Sequence, residues 1–154
     1  DDSTDLETFI HALNWLKTEE DYIPEMVVHL RPTSPVRPTT LIDVAVSRLR
    51  NNPEADSLRT VIPAPITPYK MWRLCGKWLD PLLTDPSITE PYNMPRQALP
   101  VTYWQNAHLD VIRTVTIVKN RSMTGDKILA HIMSPEDDVD IDSQRDFDSA
   151  ELHK

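Results

Sequence analysis

Proline sets the limits on regular structure in this chain. Pro32, Pro35 and Pro38 follow directly on the apolar run Met26 to Leu30, and Pro63, Pro65 and Pro68 follow the β-rich stretch "SLRTVIPA". A third set punctuates "TDPSITEPYNMPRQALP". Proline has no backbone N–H and a fixed φ, so none of these stretches can be the interior of a helix or of a central strand. The 154 residues hold fourteen prolines and two glycines, Gly76 and Gly125. Because the glycines stand far apart, no glycine-rich phosphate loop can form within this sequence.

Periodic segments lie between the breaks. "STDLETFIHALNWLK" reads as a helix, with Thr4 and Glu7 at capping-box spacing and Leu6, Phe9, Ile10, Leu13 and Leu16 on one face. "MVVHL" has the pattern of a short strand buried on both faces. Thr40 and Asp43 open a second helix, with Leu41, Val44, Ala45 and Leu49 facing inward. The order helix, strand, helix, strand suggests a parallel sheet covered by helices. "YKMWRLCGKWLDPLL" holds two short β-like runs around Cys75-Gly76 and reads as a hairpin or arm, followed by the proline-rich loop. "VTYWQNAHLDVIR" and "KILAHIM" are strand candidates, "TVTIVKN" is a short helix, and Ser143 with Asp146 caps a last helix.

Composition excludes several classes. A length of 154 residues fits one domain, and 40% hydrophobic residues suffice for a packed core. The net charge of -8 argues against a nucleic-acid binder, since phosphate backbones require Lys/Arg surfaces. No apolar run is long enough to span a bilayer, so no membrane contact is expected. "DDSTDLETF" lacks the features of a signal peptide, and the lone Cys75 permits no disulfide framework, which is compatible with a cytoplasmic location. The five histidines and Cys75 show no zinc spacing.

Four groups of residues could carry chemistry. Asp140 and Asp142 in "VDID" are two apart, so in an extended segment they share a face while Val139 and Ile141 point the other way. Such a pair could hold Mg²⁺, which takes one or two carboxylates and completes its shell with water and phosphate. Alternatively Asp142 or Ser143 caps the last helix and Asp140 is solvated. Arg31, Thr33, Ser34 and Arg37 follow the first strand, where ligands bind in open α/β sheets. The other reading is a rigid proline turn with ordinary hydroxyl hydrogen bonds. Arg96 and Gln97 in the long loop, with Lys70 and Arg73 in a neighbouring block, could clamp a carboxylate or phosphate, or be surface residues. Asn106 and His108 sit inside an apolar strand pattern, either satisfied there or touching a ligand.

Together these blocks resemble the acylneuraminate cytidylyltransferase family, the synthetases that load CMP onto sialic acid and other nonulosonic acids. "LRPTSPVR" looks like the family's L-Q-P-T-S-P-L-R turn. "MPRQALPVTYWQNAHLDVI" is similar to its R-Q-x-L-P…N-G-A-I-Y-I block, and "VDIDSQRDFDSAE" to its V-D-I-D-T-x-x-D-F-x-x-A-E ending. The opening "DDSTDLETFIHAL" resembles the segment just before the turn. The blocks occur in the family's order and run nearly end to end. Three positions depart from the pattern: Arg31 stands where Gln is usual, Ala107 replaces the Gly after Asn106, and Asp110 stands where Tyr is common. The family's N-terminal A-R-x-G-S-K-G-like phosphate loop has no counterpart.

The resemblance implies a Rossmann-like, three-layer α/β fold of the nucleotide-diphospho-sugar transferase type. Residues 1–154 would form a partial cytidylyltransferase domain lacking the N-terminal phosphate-loop unit, with a small β arm at about 69–100 for dimerisation. The implied reaction forms a CMP-activated sugar from CTP and a nine-carbon sugar acid, releasing pyrophosphate. Asp140 and Asp142 would be catalytic and hold Mg²⁺ (or Mn²⁺). Arg96 would face the sugar carboxylate, with Gln97, Asn106 and Lys70 on the sugar side. Ser3, Arg31, Thr33 and Ser34 would lie near the nucleotide. This 154-residue chain alone is expected to be inactive and to expose a sheet edge. A non-catalytic nucleotide- or partner-binding domain derived from that family is the alternative.

Overall fold

In the computed structural model, described for residues 3–35, 37–137, 141 and 143–151, the chain divides into two units. One comprises the residues up to Val61 and those from Gln105 on, and the other is Ile62–Trp104.

The first unit is built on a four-stranded sheet. Helix α1 (Asp5–Glu19) starts at Thr4, whose hydroxyl accepts from Glu7 N while the Glu7 carboxylate accepts from Thr4 N. That reciprocal pair satisfies two donors that a helix start leaves open. Strand β1 (Met26–Leu30) follows, then α2 (Leu41–Arg50), β2 (Ser57–Pro63), β5 (Tyr103–Arg113), α3 (Thr114–Val118), β6 (Ile128–Ile132) and α4 (Gln144–Glu151). The sheet order is β1-β5-β2-β6. β2 and β6 run parallel, Ser57 opposite Ile128 and Val61 opposite Ile132. β1 and β5 run antiparallel, Met26 opposite Arg113 and Leu30 opposite Leu109. Arg113 N donates to Asp56 O, and Thr60 Oγ1 to Leu109 O, so β5 also opposes β2.

The sheet is therefore mixed, not wholly parallel: β5 enters between two strands that point the other way. The run "MVVHL" is not buried on both faces either. β1 is an edge strand, and its residues from Met26 to His29 are only half-buried. An apolar run marks a strand but not how many neighbours it has.

Helices lie on both faces. α1 and α3 press Leu13 and Ile117 onto Ile112 of β5, with Val27 and Phe9 at the margin. Val27 pairs with Ile112 and His29 with Asp110, so these four share that face. α2 covers the opposite face, where its Arg48 reaches Ala130 O and His131 Nδ1 of β6, 3.1 Å each. Leu41, Ala45 and Leu49 are its buried stripe, while Val44 is exposed and does not face inward as its spacing suggested. Thr40 starts α2 without a side-chain cap, because its φ of -89° and ψ of -6° are already helical. A capping side chain needs extended backbone to fold back over the first turn.

The second unit holds the hairpin. β3 (Trp72–Cys75) and β4 (Trp78–Pro81) pair antiparallel, Trp72 opposite Pro81 and Cys75 opposite Trp78. Gly76 makes the turn at a φ of +64°, a conformation glycine adopts without steric cost. Short 3-10 turns lie at Pro68–Lys70, before the hairpin, and at Pro91–Asn93 and Arg96–Ala98, in the proline-rich loop.

Candidate functional site

The turn after β1 is held by one carbonyl. Arg31 O accepts from Ser34 N at 3.3 Å and from the Arg37 guanidinium. Arg37 also donates through Nε to His108 O of β5, 3.0 Å. Arg37 thus pins the turn over the sheet. Thr33 O accepts from Ile141 N at 2.8 Å, which brings the carboxy-terminal segment onto the turn. Asp140 and Asp142, the proposed metal pair, flank Ile141 in sequence and lie outside the described residues.

Among the described residues, two buried polar atoms in this turn have no hydrogen-bond partner. They are Ser34 Oγ, in a fully buried residue, and Arg31 Nε. The far end of the Arg31 guanidinium lies 3.5 Å from Asp5 Oδ2 in the first turn of α1. Ser3, just before the Thr4 cap, and Thr33 are exposed. The structure therefore gathers Arg31, Thr33 and Ser34 with Ile141 at the carboxyl end of β1, and α1 contributes Asp5.

Asn106 is 3% exposed in β5. Its Nδ2 donates to Met133 Sδ at 3.5 Å and its Oδ1 has no partner. The next residue, Ala107, has a φ of +57°, left-handed for a residue that carries a Cβ. That is the position where the resembling family has glycine. The kink acts as a β-bulge. On a regular strand Gln105 and Asp110 would point to opposite faces, yet both reach Arg59 of β2. Arg59 Nη1 donates to Gln105 Oε1 at 3.0 Å, Nε to Asp110 Oδ1 at 2.7 Å and Nη2 to Asp110 Oδ2 at 3.0 Å. The fork is bidentate and Asp110 is buried beneath it. Sequence reading singled out Asp110 but not Arg59; the only sign of the pair was an aspartate inside an apolar strand pattern.

In the second unit, Arg96 Nη2 donates to Ala64 O at 2.8 Å, and Ala64 N to Thr102 O at 2.9 Å. Arg96 lines a small cavity of about 100 Å³ with Thr67, Leu99 and Thr102. Gln97 beside it is exposed, as is Lys70 at the end of a turn capped by Thr67.

His131, on β6, has its pKa lowered by burial and by the neighbouring Arg48. Because arginine only donates, His131 Nδ1 is the acceptor in that contact, which fits a neutral ring.

Among the described residues, no three His, Cys, Asp or Glu side chains gather closely enough to hold a metal ion. None of their helices is long and apolar enough to cross a membrane.

No protein-family model matches the chain, and no curated protein sequence matches it. Solved structures do. The crystal structure of 4-diphosphocytidyl-2C-methyl-D-erythritol synthase from Anaerococcus prevotii is similar over 99% of this chain and 68% of that one. The TM-score is 0.58 and the sequence identity 11%. This chain has the mixed α/β fold of the nucleotide-diphospho-sugar transferases. At 11% identity the likeness is one of fold.

Proposed function

We propose that this chain belongs to a cytidylyltransferase that makes a CMP-activated nonulosonic acid from CTP. The observation that carries this reading is the hydrogen bond from Ile141 N to Thr33 O. It joins the "RPTSP" turn to the "VDID" segment, two blocks far apart in sequence that the reading requires at one site. The buried, partnerless Ser34 Oγ and Arg31 Nε suit a polar ligand that would complete their hydrogen bonds. The fold likeness supports the same class, since the similar protein is named for a diphosphocytidyl product.

In the reaction, a hydroxyl of the sugar acid attacks the α-phosphate of CTP. The new O–P bond forms as the bond to the β-phosphate oxygen breaks, pyrophosphate leaves, and the hydroxyl proton passes to a base. Arg31, Thr33 and Ser34 would orient the nucleotide, with Ser3 nearby. Asp140 and Asp142 would hold Mg²⁺ or Mn²⁺, which when bound neutralises phosphate charge. Arg96 would pair with the sugar carboxylate, with Gln97, Asn106 and Lys70 on the sugar side. Arg59 holds Asp110 and so shapes the sheet face near the nucleotide end of β5. The exposed Trp72, Leu74, Trp78 and Leu79 of the hairpin would be covered by the same hairpin of a second copy, giving a homodimer.

Titration of CTP into the chain by calorimetry, with and without Mg²⁺, tests the reading directly. Saturable binding that strengthens with Mg²⁺ and loses that gain in Asp140→Asn is the expected result. Absence of CTP binding at millimolar concentration would overturn it. Arg96→Lys should weaken sugar-acid affinity more than CTP affinity, because lysine lacks the planar fork. Light scattering at high concentration should give twice the chain mass.

A further inference from the structure

At the end of β1 away from the turn, a cavity of about 480 Å³ opens between α1 and α3. Pro24 and Glu25 at its floor precede β1, and Arg31 follows it. The five residues between put the cavity roughly 16 Å from the turn, at about 3.3 Å per residue. It is therefore separate from the proposed nucleotide site.

The walls are apolar. Leu13 comes from α1, Ile23 and Pro24 from the segment before β1, and Val115 and Val118 from α3. Ile23, Val115 and Val118 are exposed although they line a concave surface. The floor is fixed: Thr114 Oγ1 donates to Pro24 O at 2.6 Å, and Thr114 N to Glu25 O at 3.1 Å. An apolar cavity of this size, with a floor fixed by Thr114, has the character of a small-molecule site.

The charges around it select the ligand. Arg113 is spent on Ala55 O, Leu49 O and Asn52 O. Glu25 lies between Arg50 at 3.7 Å and Arg113 at 3.8 Å, so its charge is offset. Lys17 and Lys119 also line the cavity, one from each helix region, and neither has an acidic partner among the described residues. In a chain of net charge -8, Lys17 and Lys119 bring two cations without acidic partners among the described residues to the lining of an apolar cavity.

We propose that this cavity binds a small amphipathic carboxylate, its apolar body against Leu13, Val115 and Val118 and its head group between Lys17 and Lys119. The test uses octanoate as the probe and octan-1-ol as the neutral control, followed by calorimetry and by amide shifts in the 154-residue chain. Octanoate should saturate one site, shift residues 13–25 and 113–119, and bind at least about tenfold more tightly than octanol, the gain expected of a charge-assisted contact. The double variant Lys17→Gln, Lys119→Gln should lose that advantage while octanol binding stays unchanged. Both lysines are exposed, so the variant keeps its fold, which circular dichroism checks. Equal affinity for octanol and octanoate, shifts elsewhere, or no saturable octanoate binding would each overturn the proposal.

Discussion

Two loops of the first unit treat their polar groups in opposite ways. In residues 122–127, Ser122 Oγ accepts from Thr124 N and Gly125 N. The Asp56 carboxylate accepts from Asp126 N and Lys127 N at 2.9 Å each, and Ser57 Oγ donates to Thr124 O. The turn from Arg31 to Arg37 is also pinned, but it buries Ser34 Oγ and Arg31 Nε with nothing to bind. A buried polar group without a partner costs about 1–3 kcal/mol. A loop that only closes a connection has no reason to carry that cost. The contrast separates a loop made for stability from a turn kept ready for a ligand, and it can be broken by substitution.

The largest effect is expected at Gly125. A Cβ there would lie 2.3 Å from Asp56 Cβ, close to the backbone, and its φ is +70°. Gly125→Ala combines overpacking with a left-handed backbone and should cost on the order of 3 kcal/mol. A thermal melt should show a Tm lower by roughly 10 °C; an unchanged Tm would mean that the loop is not rigid.

The second effect is a dependence on pH. Hydrogen bonds from the backbone of Lys127 and then Asp126 hold the Asp56 pKa below its usual 3.8. The folded value is the lower one, so this contribution is present above pH 3.8 and is lost as pH falls through the folded value. Asp56→Asn should flatten that part of the stability profile. An identical acid limb in the variant would exclude Asp56 as its source.

A smaller change of opposite sign is expected at Ala107. Its left-handed φ costs about 1–2 kcal/mol for a residue with a Cβ. Ala107→Gly should therefore raise stability by about 1 kcal/mol, less than the full relief because glycine loses more backbone entropy. Chemical denaturation at constant m-value would measure it, and a loss of stability would show that the Ala107 methyl contributes packing.

The last change should come from the ligand-ready turn, and it should not be a loss. Ser34→Ala removes a buried hydroxyl that bonds to nothing, so stability should rise by up to about 1 kcal/mol, the relieved desolvation cost less that of the small void left behind. If the proposed function holds, CTP affinity should nevertheless fall about tenfold by calorimetry, the value of a lost hydrogen bond to a charged phosphate. A large destabilisation with unaltered affinity would make Ser34 a structural residue and erase the contrast between the loops.

The sequence carried its local devices openly. The Thr4–Glu7 cap, the hairpin at Cys75-Gly76 and the helix at Gln144–Glu151 follow from spacing and turn chemistry within a few residues. What depends on distant partners was hidden. Nothing near "YWQNAHLDVIR" says that it runs against both its neighbours, and nothing near "MVVHL" says that it lies at an edge. The meaning of Ala107 needed a backbone angle, and the meaning of Asp110 needed Arg59 about fifty positions earlier. Of the candidate site, the turn 31–37 was legible because prolines fix it. Arg37 stayed open between a ligand contact and a turn residue, because its guanidinium donates to carbonyls that sequence cannot place.

The placement of β5 between β1 and β2 also governs the order of folding. β1 and β2 are made early, yet neither hydrogen-bonds to the other; both wait for Tyr103–Arg113. Until that segment leaves the ribosome, the first half of the sheet is two unpaired strands with their helices. Such high contact order slows folding, and it prolongs the time in which strand edges can join another chain. Synthesis slowed between residues 60 and 100 would lengthen that exposure, whereas the compact hairpin made in the same interval closes on itself.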